Sequence, residues 1–256
     1  LKIILSSPTI EDEIRKAILT QSFVNIKAHN SIIQTLELIK HLCVGSQFEE
    51  RYIQILQKIN MQLNLIDTIV DDLIRYIHVV KSIEVGEAKI EEIETTVYEG
   101  MYHHSYNILI RMQVIMMLCN KKRQLDWNFE NFLSFWKEAN SEQCAKLTLY
   151  RLLTKNISNM NNKLFDDFFN KIILNEEQFS INSAVSFNLF KVALYEINLR
   201  NKKFMFIGNS RSSLRIQSDQ PKIEGIEKLW YLLLNESTSD DIKNEVSNLL
   251  CDLCLN

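Results

Sequence analysis

The chain has 256 residues, of which 46% are hydrophobic and 24% charged, and its formal net charge is −3. This is the composition of a globular protein, and it excludes wholesale disorder. Only five glycines and two prolines occur. Sandwiches, barrels and doubly wound α/β folds need more turn residues, so the composition predicts an all-α fold. The small negative charge gives no general attraction to nucleic acid or to an anionic membrane.

The ends of the sequence indicate a segment of a longer chain. It begins at Leu1 rather than Met, and it ends at Asn256 directly after an apolar helical pattern, so we interpret residues 1–256 as one helical-repeat segment. No signal peptide and no apolar run of roughly 20 residues, the length that spans a bilayer, is visible. The five cysteines are scattered, which is typical of a reducing compartment, and we expect a cytoplasmic protein.

Two short helices are predicted near the start of the chain. The first opens at Ser7-Pro8-Thr9. For the second, Ser31 and Gln34 match a capping box, and Gly45 is placed to end the helix.

The most regular pattern follows these helices. Apolar residues recur alternately four and three positions apart over four heptads, which predicts one long helix from about Gln47 to Ser82. The residues of this seam are Tyr52, Leu56, Ile59, Leu63, Ile66, Val70, Leu73, Ile77 and Val80. Further isoleucines widen the apolar face, so we expect the helix to dock on neighbours rather than to form an isolated coiled coil.

Two charged stretches interrupt the helical patterns. Residues 84–102 carry six glutamates against the single Lys89, and they are predicted to form an acidic flexible loop. Residues 200–221 are predicted to form a basic loop, the best candidate for a charged contact surface. Its basic residues are Arg200, Lys202, Lys203, Arg211 and Arg215. For both loops, a simple solvated connection is the favoured interpretation.

Seven helices are predicted between His104 and the end of the chain, separated by short polar breaks. Short helices in pairs are typical of α-solenoids. No strict repeat period is present, so the sequence predicts an armadillo- or HEAT-like α-solenoid with degenerate repeats. Trp230, between Leu229 and Leu233, is predicted to lie in the core, and an exposed Trp230 would instead favour a partner-binding surface.

The motifs that carry common chemistries are missing from the sequence. It contains neither a Gly-x-Gly-x-x-Gly loop nor a Gly-Lys-Ser/Thr loop for phosphate. Cys251-x-x-Cys254 is the only CxxC, and it lacks the second ligand pair that a structural zinc needs, so helix packing is the favoured interpretation. His103 and His104 are adjacent and diverge on a helix, while His29, His41 and His78 have no ligand at suitable spacing.

The remaining cysteines and the acidic doublets also suggest no active site. Cys43, Cys119 and Cys144 occupy apolar helical faces and are predicted to be small core residues. The members of Asp71-Asp72 and Asp166-Asp167 point apart on a helix, so neither doublet forms an acid–base pair. We therefore predict no catalytic residue, no cofactor-binding residue, no metal ligand and no cofactor in these 256 residues.

Four segments in the second half of the chain carry a family resemblance. They are HSYNILIRMQVIMML (104–118), FLSFWKEANSEQCAKLTLYRLLTK (132–155), KLFDDFFNKIILNEEQFSINSAVSFNLFKVAL (163–194) and IEGIEKLWYLLLNESTSDDIKNEVSNLLCDL (223–253). In order and spacing, they resemble the long non-catalytic helical region of the fat-facets-type ubiquitin-specific proteases, the very large deubiquitinases. The segment at 31–45 and the helix from Phe48 are similar in pattern only.

This resemblance implies a scaffold rather than a catalytic domain. In that family the catalytic Cys and His boxes lie in a separate papain-like domain, and none of the five cysteines matches a Cys box, so no catalytic residue carries over. The resemblance implies a helical segment that positions protein partners or ubiquitinated substrates for a cysteine protease domain outside this chain. The alternative is a stand-alone helical-repeat adaptor without enzymatic activity. Neither interpretation involves nucleic acid, membrane or a small-molecule cofactor.

Overall fold

A computed structural model describes residues 12–43, 52, 54–59, 64–84, 103–118, 128–206, 214–216 and 222–255. The chain there is helical, apart from two strands of three residues, which confirms the predicted all-α class. The helices are α1 (Asp12–Lys27), α2 (Ile32–Cys43), α3 (Leu65–Glu84), α4 (His104–Leu118), α5 (Phe129–Asn140), α6 (Gln143–Asn156), α7 (Asn162–Phe168), α8 (Ala184–Arg200), α9 (Ile226–Leu234) and α10 (Asp240–Leu255). Residues 54–59 are also helical.

The chain divides into two compact units, Leu1–Leu152 and Leu153–Asn256. Among the described helices, none combines the length and the apolar character needed to cross a bilayer.

In the first unit, α4 packs against α2 and α3, and α3 also packs against α1 and α5. The central position of α4 follows from its composition, because its own apolar residues occupy all sides of the helix. Nine of its fifteen residues are buried. Trp136 on α5 is buried and stacks on the ring of Tyr150 on α6, with ring centroids 5.4 Å apart. These aromatic contacts close the core at the α5–α6 end.

A buried ion pair joins α3 to α4 inside this core. Arg111 Nε lies 2.8 Å from Asp72 Oδ2, and the two side chains are 0% and 1% exposed. The guanidinium also donates to the backbone carbonyl of Asn107 at 2.9 Å and lies 4.7 Å above the centre of the Tyr76 ring. His29 Nδ1, in the α1–α2 turn, lies 2.8 Å from the other Asp72 oxygen. The pair therefore fixes α3, α4 and the α1–α2 turn relative to one another.

The surroundings of Asp72 keep it ionised. Burial by itself raises the pKa of a carboxyl group, but the hydrogen bond with His29 and the positive charges of Arg111 and Arg75 outweigh it. The net result is a lowered pKa for Asp72. Asp72 therefore binds a proton at higher pH in the unfolded chain than in the folded one, and its stabilising contribution is lost as the pH falls through the folded pKa.

The predicted single helix from 47 to 82 is wrong. Residues 54–59 are helical, but α3 begins only at Leu65, and Asn64 has a φ of +51°, which lies outside the right-handed helical region. The heptad pattern continues across the break because it reflects which residues are buried. Leu56 and Ile59 are buried before the break, and Ile66 and Val70 are buried after it. Asn tolerates the left-handed conformation better than most residues, which explains why the break occurs here.

The second unit has an aromatic core around α7 and α8. A π-helical turn (Phe169–Ile173) continues α7 directly, and α8 packs against this turn and against the 3₁₀ helix at Ile157–Asn159. The wider turn places consecutive apolar residues toward the interior. The buried phenylalanines in the described part of this unit are Phe165, Phe168, Phe169, Phe179, Phe187, Phe190 and Phe204. α9 packs against α10.

The predicted basic loop at 200–221 is corrected in two ways. Arg200 is the last residue of α8, where it contacts Glu196 at 2.7 Å and donates to the carbonyl of Met160 at 3.2 Å. Lys203 pairs with Glu224 at 2.8 Å. Beyond them, β1 (Phe204–Phe206) and β2 (Leu214–Ile216) form an antiparallel pair. Part of the segment is therefore β structure, and Arg200 and Lys203 form ion pairs with glutamates of the same unit.

Two other predictions cannot be compared with the structure. Of the predicted acidic loop at 84–102, residues 85–102 lie outside the described residues, and Glu84 is the last residue of α3. The predicted helix start at Ser7-Pro8-Thr9 also lies outside them.

The buried pair generates a stability prediction with a matched control. Asp72→Ala leaves Arg111 buried without its carboxylate, and we expect it to lower the free energy of unfolding by about 3–5 kcal/mol in urea denaturation at pH 7. The neighbouring Asp71 is exposed, and Asp71→Ala should cost about 0.5 kcal/mol or less. The double variant Asp72→Leu/Arg111→Met should regain most of the loss. Equal losses for the two single alanine variants would contradict the proposed role of the ion pair.

Candidate protein-binding surface

The segment that leads into α9 is held close against α8 and the π-helical turn at Phe169–Ile173. Gly225 precedes α9 with a φ of +82°, and a Cβ atom there would lie 2.9 Å from Leu194 Cδ1. Only glycine combines this backbone conformation with so close an approach. The buried Asn198 of α8 accepts from the backbone N–H of Glu224 at 2.9 Å and donates to its carbonyl at 3.1 Å. These contacts fix where α9 begins.

A buried lysine fixes the orientation of α9. Lys228 is 9% exposed, and its ammonium donates to the backbone carbonyl of Ile173 at 2.8 Å. It also lies 5.7 Å from the centre of the Phe179 ring. Burial lowers the pKa of Lys228, partly offset by the negative charge of Glu176. Since Leu229 and Leu232 are buried beside it, this side of α9 faces the interior.

The opposite side of α9 is apolar and exposed. Trp230, Tyr231 and Leu234 are 48%, 46% and 78% exposed. At about 100° per residue they lie within an arc of about 100°, opposite the buried residues. In the described part of the chain, the other large exposed apolar residues are Ile14 and Val24 on α1, which are too far apart along that helix to form one patch. We call Trp230, Tyr231 and Leu234 the α9 patch.

The prediction that Trp230 lies in the core is therefore wrong. The sequence pattern made this error because α9 is apolar around most of its circumference, so periodicity could not distinguish its two sides. Lys228 lies on the buried side of α9, where an apolar residue would be expected. With Lys228 facing the interior, Trp230 lies on the exposed side of the helix.

The exposed charged residues nearest to the α9 patch along the chain are acidic. The exposed charged residues of α9, of the turn after it and of the first turn of α10 are Glu227, Glu236, Asp240 and Asp241. Lys228 is the only basic residue between Ile226 and Ile242, and it is buried. The α9 patch thus combines exposed aromatic and aliphatic side chains with acidic residues nearby in the chain, which we call the acidic rim. Apolar residues with polar neighbours are typical of protein-binding surfaces.

Two of the cysteines considered from the sequence, Cys144 and Cys251, have described side chains. Cys144 is half-buried, and Cys251 is exposed, which contradicts the interpretation that it packs between helices. Burial and the charge of Glu142 raise the pKa of the Cys144 thiol, although Thr148 and Arg151 act in the opposite direction. A raised pKa opposes nucleophilic use of this thiol. Cys119 and the side chains of Cys43 and Cys254 lie outside the described residues.

The histidines lie in separate places on the first unit. His29 contacts Asp72 as described above, and His78 Nε2 lies 2.9 Å from Glu138 Oε2 on the surface. His41 and His103 are exposed. His104 stacks on Tyr76, with its Nδ1 3.1 Å from the tyrosine hydroxyl. Of the two adjacent histidines, His103 is exposed and His104 is half-buried.

The acidic doublets diverge as the helical pattern predicts. Asp71 is exposed while Asp72 is buried in the ion pair, and Asp166 is exposed while Asp167 is half-buried beside Lys171. The role of Asp72 was missed, because nothing in the sequence links it to Arg111 on another helix.

The structure also brings together three potential metal ligands that the sequence analysis did not connect. A ring nitrogen of His104, a carboxylate oxygen of Glu142 and the sulfur of Cys144 lie within 4.8 Å of one another. His104 opens α4, whereas Glu142 and Cys144 lie at the start of α6, so no local motif could have revealed the cluster.

No protein-family model, curated protein or solved structure matches this chain.

The exposure of the α9 patch predicts unequal effects for two tryptophans. Trp230→Ala should change the free energy of unfolding by about 1 kcal/mol or less, because half of the side chain is already in water. Trp136→Ala should lower it by about 3–5 kcal/mol, because Trp136 is 1% exposed. Urea denaturation monitored by circular dichroism measures both. A loss at Trp230 as large as that at Trp136 would show that α9 is rotated inward.

Proposed function

We propose that this chain is a non-catalytic helical scaffold that binds a protein partner through the α9 patch. The observation that carries the proposal is the exposure of Trp230, Tyr231 and Leu234 together on one side of a helix. Burying these three side chains would stabilise a complex, because apolar surface that is exposed in the free chain would be removed from water. Aromatic residues at the centre of a patch are also the residues that dominate measured binding energies.

The acidic rim narrows the class of partner. Glu227, Glu236, Asp240 and Asp241 favour a protein segment that presents apolar anchors flanked by lysine or arginine. A second copy of the same patch is a poor partner, because a symmetric contact would place these carboxylates against their own equivalents. The same carboxylates disfavour nucleic acid and an anionic membrane surface.

The proposed architecture is an α-solenoid of the armadillo or HEAT kind. It is supported by the order of packing within each unit, where helices contact those near them in the chain, as α9 contacts α10 and α3 contacts α4 and α5. Stacks of this type offer extended surfaces and need no buried active site.

We further propose that the scaffold belongs to a fat-facets-type deubiquitinase and works in the cytoplasm. The collinear resemblance of the segments between 104 and 253 supports this proposal. The chain would then hold a substrate or partner for a cysteine protease domain that lies outside these residues. The alternative is a stand-alone adaptor, and the two differ in whether the intact gene product reacts with ubiquitin.

Selection from a phage-displayed library of random peptides tests the α9 patch directly. We expect the enriched peptides to carry aliphatic or aromatic residues next to lysine or arginine. Their affinity for Trp230→Ala/Leu234→Ser should fall at least tenfold, since the two changes remove the centre of the patch.

The matched control is Ile14→Ser/Val24→Ser, which removes two side chains of similar exposure, 49% and 48%, at a different place. This variant should bind the peptides like the wild type. The proposal fails if no peptide is enriched, or if the enriched peptides bind the α9 double variant as tightly as the wild type.

A further inference from the structure

We propose that His104, Glu142 and Cys144 form a binding site for a divalent zinc-like cation in the first unit. Their ligand atoms lie within 4.8 Å of one another, and all three side chains are half-buried. Imidazole, thiolate and carboxylate are the three ligand types that zinc uses in proteins. This inference concerns different residues from the α9 patch and does not depend on the proposed function.

The charges of the ligand set suit a divalent cation. Glu142 supplies one negative charge, and Cys144 supplies a second when its thiol proton is released to solvent on binding. Together they balance the charge of Zn²⁺, and His104 contributes as a neutral imidazole. Three protein ligands leave one coordination position for water.

Small movements are enough to close the site. With bonds of about 2.0–2.3 Å to zinc, ligand atoms in a tetrahedral site lie about 3.4–3.6 Å apart. The ligand atoms, which now lie up to 4.8 Å apart, must therefore approach one another by about an ångström. Glu142 accepts from the backbone N–H groups of Cys144 at 2.9 Å and Ala145 at 2.6 Å through different oxygens, so one oxygen can bind the cation while the other keeps its hydrogen bond.

The neighbouring residues hold the ligands in position. The His104 ring stacks on Tyr76 with centroids 5.6 Å apart, and its Nδ1 is 3.1 Å from the Tyr76 hydroxyl. Partners of this kind orient metal-binding histidines. The two hydrogen bonds at the start of α6 orient Glu142. Because His104 opens α4 and Glu142 precedes α6, a bound cation would link the beginnings of two helices that are far apart in the sequence.

Metal titration of the tag-free chain tests the site. We expect Co²⁺ to give a thiolate-to-cobalt charge-transfer band in the near ultraviolet, and Zn²⁺ to displace it. In competition with a chelator, Zn²⁺ affinity should fall at least tenfold in Cys144→Ser, in His104→Asn and in Glu142→Gln. Glu142→Gln keeps a side-chain carbonyl oxygen that can accept a backbone hydrogen bond at the start of α6. A loss of affinity in this variant would therefore not be due to unfolding.

The controls are His103→Asn and Cys251→Ser, since both residues are exposed and neither belongs to the cluster. They should keep wild-type affinity, and Zn²⁺ should raise the midpoint of thermal unfolding in these controls but not in the three ligand variants. The proposal is overturned if the charge-transfer band is missing in the wild type, or if Cys144→Ser binds Zn²⁺ as tightly as the wild type.

Discussion

A buried positive charge organises the first unit. The guanidinium of Arg111 is fully buried, and it reaches Asp72 on α3 and the backbone of its own helix while lying over the ring of Tyr76. An unpaired charge in such a place would cost several kcal/mol, about 3–5 kcal/mol when one partner is removed, so only arrangements that keep these contacts are stable. Because Tyr76 also holds the ring of His104, the same contacts that fix α3 against α4 place His104 beside Glu142 and Cys144.

A buried cation has a comparable role in the second unit. Lys228 donates to the carbonyl of Ile173 in the π-helical turn, and this anchor sets which side of α9 faces the interior. Trp230, Tyr231 and Leu234 then remain in water because of the rotation that Lys228 imposes. A helix that is apolar on both sides gains little by exposing one of them unless another protein covers it, which is the physical basis for the proposed scaffold function.

The sequence predicted the features that depend on local pattern, and it missed those that depend on contacts between helices. The scarcity of glycine and proline predicted the helical class, and periodicity located α4 to α10. Periodicity failed at Asn64, where the apolar seam continues across a left-handed residue, and at Trp230, where a lysine replaces an apolar residue on the buried side. The Asp72–Arg111 pair and the cluster at His104 could not be predicted, because their members are brought together only by the fold.

The proposal that these residues serve as the scaffold of a deubiquitinase and perform no chemistry themselves can be tested directly. The most direct test treats the intact native gene product, isolated from its own cells, with ubiquitin that carries a C-terminal thiol-reactive group. We expect the intact protein to be labelled at a cysteine outside this chain, and the isolated 256 residues to stay unlabelled. An intact protein that stays unlabelled would contradict the deubiquitinase parent and favour the adaptor. Labelling at Cys144 or Cys251 would contradict the non-catalytic assignment itself.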